Sequence, residues 1–149
     1  MATKNKTVEM TAEQALEAVR TSVANPKPET IVLNDVHSPG EYVRQGDIYI
    51  RRIEAPDVKG MDVVPADWNG QLAEGTGKGS RHIIDNPQTV KAWRKKVRQT
   101  QDGYIFQTGN TGVEVTHPDH GHVKLGANCW FEVFYQVNLF NSEKTRVQD

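Results

Sequence analysis

The stretch Trp130-Phe131-Glu132-Val133-Phe134-Tyr135-Gln136-Val137 decides the fold. Side chains on a β-strand alternate between two faces, so Trp130, Glu132, Phe134 and Gln136 share one and Phe131, Val133, Tyr135 and Val137 share the other. The second face is wholly apolar and is expected to point into a core. β-Branched and aromatic residues suit such a pleated, half-buried surface, and the run reads as one strand from Trp130 to Phe140. Just upstream, Leu125-Gly126-Ala127-Asn128 is predicted to be a hairpin turn, with Gly126 or Asn128 at positive φ. It would join this strand to His122-Val123-Lys124-Leu125.

Further strands are predicted outward from there at Val113-Glu114-Val115, Tyr104-Ile105-Phe106, His82-Ile83-Ile84, Gln71-Leu72-Ala73 and Asp62-Val63-Val64. A longer one, Ile48 to Ile53, is opened by Gln45-Gly46-Asp47 and ends before Pro56. Short strands separated by Gly and Asn turns predict a mainly β fold, a small barrel or a sandwich. Two helices are expected beside it. Thr11-Ala12-Glu13-Gln14 has the form of a capping box, and Ala15, Leu16, Ala18, Val19 and Val23 follow at helical spacing, giving a helix over about 12–24. Asn25-Pro26-Lys27-Pro28 stops it. Asn86-Pro87 reads as a second helix start, with Val90, Trp93 and Val97 carrying an inserted helix to about Gln99. Residues 1–44 are thus a helix and extended arm, with a short strand at Ile31-Val32-Leu33. Residues 45–140 are the β domain, and 141–149 a charged tail.

The 149 residues suffice for one core but not for two. A formal net charge of -1 sets up no global attraction to nucleic acid, which is therefore not an expected partner. The single cysteine, Cys129, excludes an internal disulfide and a paired-thiolate metal site; inside Cys129-Trp130-Phe131 it reads as a small buried hydrophobe. The polar start Met-Ala-Thr-Lys-Asn-Lys has no apolar segment behind it, and nowhere do eighteen apolar residues run together. The expected setting is a reducing cytoplasm, or a virus particle made there, with no membrane contact.

Chemistry concentrates in Thr116-His117-Pro118-Asp119-His120-Gly121-His122. Neutral imidazole is the commonest metal ligand, and His-x-x-His or His-x-His spacing lets two rings converge on one ion. His82, at the start of another strand, could supply a further ligand. His82, His117, His120 and His122 are the candidate metal set, suited to zinc or iron. The competing readings are solvated turn histidines shaped by Pro118 and Gly121, or general acid–base groups. Two weaker anion sites also stand out. Glu74-Gly75-Thr76-Gly77-Lys78-Gly79-Ser80-Arg81 is glycine-rich with Lys78 and Arg81, but Gly79 breaks the phosphate-loop pattern. Lys91, Arg94, Lys95, Lys96 and Arg98 would put a basic face on the inserted helix.

Gln45-Gly46-Asp47 opening a strand, Leu72-Ala73-Glu74-Gly75 before a glycine-rich turn with His82, and His117-x-x-His120 together resemble a family of small bacterial and bacteriophage proteins with no assigned activity. The resemblance covers about residues 45–138 and departs at Ser80, where the family pattern places the first histidine of a pair. It implies a phage or bacterial setting. Two readings follow. One is a non-enzymatic homo-oligomer, a phage structural or accessory component assembled through its N-terminal arm, whose histidines are structural or hold a stabilising metal. The other is a metal-dependent hydrolytic enzyme on His82, His117 and His120, with Glu74 or Asp119 as general base.

Overall fold

The apolar alternation at Phe131, Val133 and Tyr135 becomes the spine of a β-sandwich: these side chains are buried, while Trp130, Glu132 and Phe134 stay half-exposed. The computed structural model describes residues 11–14, 30–74, 81–140 and 143–146. Its strands are β1 (Ile31–Leu33), β2 (Tyr42–Gln45), β3 (Ile48–Ile53), β4 (Asp62–Val63), β5 (Gln71–Glu74), β6 (Arg81–Ile84), β7 (Lys91–Arg94), β8 (Asp102–Gln107), β9 (Val113–Thr116), β10 (Val123–Leu125), β11 (Trp130–Tyr135), β12 (Val137–Phe140) and β13 (Glu143–Arg146). One sheet runs β1-β10-β9-β6-β5 and the other β2-β3-β11-β8-β7-β4, with β12 and β13 as a separate ribbon. Neither sheet closes on itself, so the architecture is a sandwich rather than a barrel.

The core lies between the sheets. Ile48, Ile50, Phe106, Phe131 and Val133 from the six-stranded sheet form one cluster with Leu33, Leu72, Ile84, Val115 and Val123 from the five-stranded one, each no more than 1% exposed. Phe106 and Phe131 pack with ring centroids 5.4 Å apart. Burying each such ring contributes about 2–3 kcal/mol relative to exposure. Cys129 is buried and free, as its apolar neighbours imply.

Several expectations change. The inserted helix is absent: Pro87–Thr89 is a single 3-10 turn, and Lys91–Arg94 is strand β7, paired with β8. The helical spacing of Val90, Trp93 and Val97 competed with a period of two over Lys91-Ala92-Trp93, and the sheet prevailed. Ala92 is buried in the core, whereas Val97 is 90% exposed. Residues 31–44 are not an arm. Strand β1 lies parallel to β10, β2 lies antiparallel to β3, and Leu33 sits in the core. Leu125-Gly126-Ala127-Asn128 is not a hairpin turn, because β10 and β11 belong to different sheets. It is a crossover in which Asn128 does take positive φ, at 54°. The long last strand breaks at Gln136, and the tail supplies β13, paired with β12. At the N-terminus the capping box is present, with the Gln14 amide donating to Thr11 Oγ1 and the Thr11 amide to Gln14 Oε1. The rest of that predicted helix lies outside the described residues.

Candidate functional site

Three of the four candidate histidines meet at one end of the sandwich, and the register of the strands brings them there. Strands β6 and β9 pair Ile84 with Val115 and Ile83 with Thr116. One step further along the same register sets His82 opposite His117, where cross-strand side chains are direct neighbours. Their ring centroids are 4.5 Å apart. The loop after β9 then brings His120 to 4.3 Å from His117 and, nearly parallel, to 6.4 Å from His82. Exposure grades outward along the three rings, from 0% at His82 through 4% at His117 to the half-exposed His120.

The groups that fix His82 come from the opposite sheet. In β2, alternation turns Val43 and Gln45 inward and leaves Tyr42 and Arg44 outside. Gln45 pairs with Ile48 across a two-residue turn, Gly46-Asp47, and Gly46 takes φ 56° at the first turn position. Such turns favour glycine there because a Cβ would clash. The hairpin tip thereby delivers two polar side chains, Gln45 at 2% and Asp47 at 1% exposure, into the interior.

The hydrogen bonds settle the atoms. Gln45 Nε2 donates to the Val115 carbonyl at 3.0 Å and to the Gly121 carbonyl at 2.9 Å. Both partners only accept, so the amide cannot be turned over, and Oε1 is the atom 2.8 Å from His82 Nδ1. An amide oxygen accepts only, so His82 Nδ1 carries a proton. On the other side of the ring, Nε2 lies 2.7 Å from Asp47 Oδ1. One proton occupies that bond, held between imidazole and carboxyl group. Both ring nitrogens of His82 are therefore engaged internally, and a metal on Nε2 would have to displace Asp47. His117 is oriented differently: its Nδ1 accepts from the Asp119 amide at 3.0 Å, which puts its own proton on Nε2.

Together these contacts form an inter-sheet tie. Gln45 and Asp47 belong to the β2–β3 hairpin, whereas His82, Val115 and Gly121 belong to β6, β9 and the loop beyond it. Tyr135, at the end of β11, adds a second tie by donating its hydroxyl to the Leu72 carbonyl in β5 at 2.7 Å. Buried polar groups with partners of this kind rigidify and specify a unique core.

The remaining candidates lie elsewhere. His122 does not join the cluster; its Nδ1 is 2.9 Å from Glu114 Oε1 at the surface. Among the described residues, no group of three or more His, Cys, Asp or Glu side chains is arranged to hold a metal ion. Lys78 lies outside the described residues, and Arg81 is exposed at the start of β6. The basic residues of the expected helix fall on β7 and the turn after it. Lys91 is exposed, the Arg94 guanidinium lies over the Tyr104 ring at 4.6 Å, and Lys95 is 3.5 Å from Asp102 and 3.8 Å from Glu132. A cleft of about 510 Å³, lined by residues that include Trp68, Gln88, Lys91 and Trp93, contains none of the histidines. No described helix is long and apolar enough to cross a membrane.

Sequence reasoning singled out Gln45-Gly46-Asp47 as a strand opening but missed that its polar side chains complete the cluster. The missing signal was parity. With Ile48 and Ile50 facing inward, pairing across a two-residue turn requires Gln45 to face inward too.

Residues 44–136 match the model of a family described as a domain of unknown function (DUF8820), a span holding Gln45, Asp47, His82, His117, His120 and Tyr135. No curated protein and no solved structure matches the chain.

Proposed function

We propose, for a chain that belongs to the DUF8820 family, a non-enzymatic role: a structural β-sandwich module that works by assembling, as a homo-oligomer, in the manner of an accessory subunit of a bacteriophage particle. One observation carries the reading. Both ring nitrogens of His82, the most buried histidine, are consumed by Gln45 and Asp47. The histidine at the centre of the cluster thus helps to hold the two sheets together. A module built this way acts through its surface. The phage setting rests on the sequence resemblance and supplies context for the assembly.

The second reading, a hydrolytic enzyme with zinc or iron on His82, His117 and His120, is favoured by the convergence of the three rings. It requires His82 Nε2 to give up its 2.7 Å contact with the buried Asp47 carboxyl group, and breaking a buried polar pair is costly.

Metal analysis of the purified protein, together with its mass in solution, tests the two. The assembly reading expects a multiple of the chain mass and a melting temperature unmoved by a chelator. A monomer with one tightly held zinc or iron per chain, whose removal lowers the melting temperature, would reverse the choice.

A further inference from the structure

The outer face of the six-stranded sheet carries aromatic side chains that no part of the tie uses. Alternation sends Ile48 and Ile50 inward on β3 and leaves Tyr49 and Arg51 outside. On β11 it leaves Trp130, Glu132 and Phe134 outside, and on β7, where Ala92 is inward, Trp93. These groups are already organised. Trp93 stacks on Trp130 with centroids 5.2 Å apart, and Arg51 lies over the Phe134 ring at 4.5 Å while its Nη2 is 3.1 Å from Glu132 Oε2. At the margin, Tyr42 is 63% exposed and packs edge-on against Tyr49. Ile105 is only 3% exposed yet stands apart from the core cluster, so this face has a small apolar layer of its own.

Aromatic residues and arginine are the types enriched where protein interfaces gain most of their affinity. The charges decide what kind of partner fits. Arg51 and Lys95 are balanced by Glu132 and Asp102 within the same patch. At the centre of the face, phosphates of a nucleic acid would meet the Glu132 and Asp102 carboxylates among the rings, which disfavours a polyanion there. Arg44 and Lys91 stand outside this pairing at the margins of the face, while its centre, with Arg51 beside Glu132, carries both signs and is complementary to itself, the requirement of a two-fold contact. Six strands spaced by about 4.8 Å, with up to six residues at about 3.4 Å, give a footprint of about 24 by 20 Å. That is about 480 Å², below the ~800 Å² each partner contributes to a standard interface and in the range of a weak contact that forms and dissociates with concentration.

We infer that this face is the self-association surface of the protein, taking a second copy of the chain in a two-fold contact in which Arg51 of each copy can reach Glu132 of the other. The inference rests on the homo-oligomer reading above and gives it a surface.

Sedimentation of the full chain over a range of concentrations tests it, using Arg51→Glu, Glu132→Arg and an equal mixture of the two. Each variant alone carries one sign of charge across the contact, and its dimer should dissociate at least about tenfold more readily than wild type. The mixture should regain wild-type association, which also shows that both variants fold. If wild type associates and both variants associate equally well, this face is not the interface, while the oligomer reading survives. If wild type is a monomer at every concentration, both fail. Saturable quenching of tryptophan fluorescence by a single-stranded oligonucleotide, lost in the Trp130→Ser variant, would overturn the choice of partner.

Discussion

Replacing Gln45 by methionine tests the inter-sheet tie at its hub. Methionine keeps nearly the same length and volume, so packing around the β2–β3 hairpin is largely preserved and the loss is confined to polar contacts. Three hydrogen bonds disappear: those to the Val115 and Gly121 carbonyls at 3.0 and 2.9 Å, and the one from His82 Nδ1 at 2.8 Å. A typical bond contributes about 1 kcal/mol net, and a buried donor left without its acceptor costs about 1–3 kcal/mol. The Gly121 bond is only partly buried, and water can replace it there. The His82 N–H, at zero exposure, has no such recourse. The expected loss is about 3–4 kcal/mol, from roughly two effective bonds and one stranded donor. For a chain of this size that lowers the melting temperature by about 10 °C. Asp47→Asn is the companion variant. An asparagine amide can donate to the unprotonated Nε2 of a neutral His82 while Nδ1–H stays on Gln45, so the cost should be about 1 kcal/mol. Asp47→Ala, which offers nothing to Nε2, should cost at least twice that. Urea denaturation of all three gives the ranking. A Gln45→Met protein within about 1 kcal/mol of wild type would show that Gln45 is not the hub of the tie, since that is the net value of a single ordinary bond.

Three further outcomes follow from the same structure. Tyr135→Phe removes the hydroxyl donated to Leu72 from an 8% exposed side chain, and should lower stability by about 1–2 kcal/mol in the same denaturation assay. Gly112→Ala would set a Cβ 2.3 Å from the Leu125 carbonyl oxygen, forcing β9 and β10 apart, with a cost of at least about 2 kcal/mol by thermal melt. Cys129 is 2% exposed, so its reaction with a thiol reagent should be limited by opening of the fold and should accelerate with urea in step with unfolding.

What the sequence disclosed depended on how locally the information was written. The alternation at Phe131, Val133 and Tyr135 was legible because strand period and burial coincide there; of the four histidines grouped from the sequence, the rings of His82, His117 and His120 lie together and His122 lies apart on Glu114. The misread helix at 87–99 shows the limit of periodicity in a short window: Val90, Trp93 and Val97 fit a helical stripe, while Ala92 alone carries the core contact that makes the segment a strand. Strand β2 was hidden for a related reason. Being at a sheet edge, it exposes Tyr42 and Arg44, and only Val43 and Gln45 point inward. Parity across the Gly46-Asp47 turn was enough to face Gln45 inward, but its meeting with His82, and that of Asp47, was not legible, because both sit on the opposite sheet, 37 and 35 residues away. Their arrival depends on how the two sheets stack, which no local pattern encodes.

The most direct measurement on the central claim is the long-range proton–nitrogen NMR spectrum of the histidine rings, recorded before and after adding zinc. The inter-sheet tie predicts a His82 ring protonated at Nδ1, slow to exchange with solvent as befits a fully buried group, and unchanged by the metal. A His82 resonance that shifts on stoichiometric zinc, with loss of the bond to Asp47, would show that the cluster is a ligand set and not a tie between sheets.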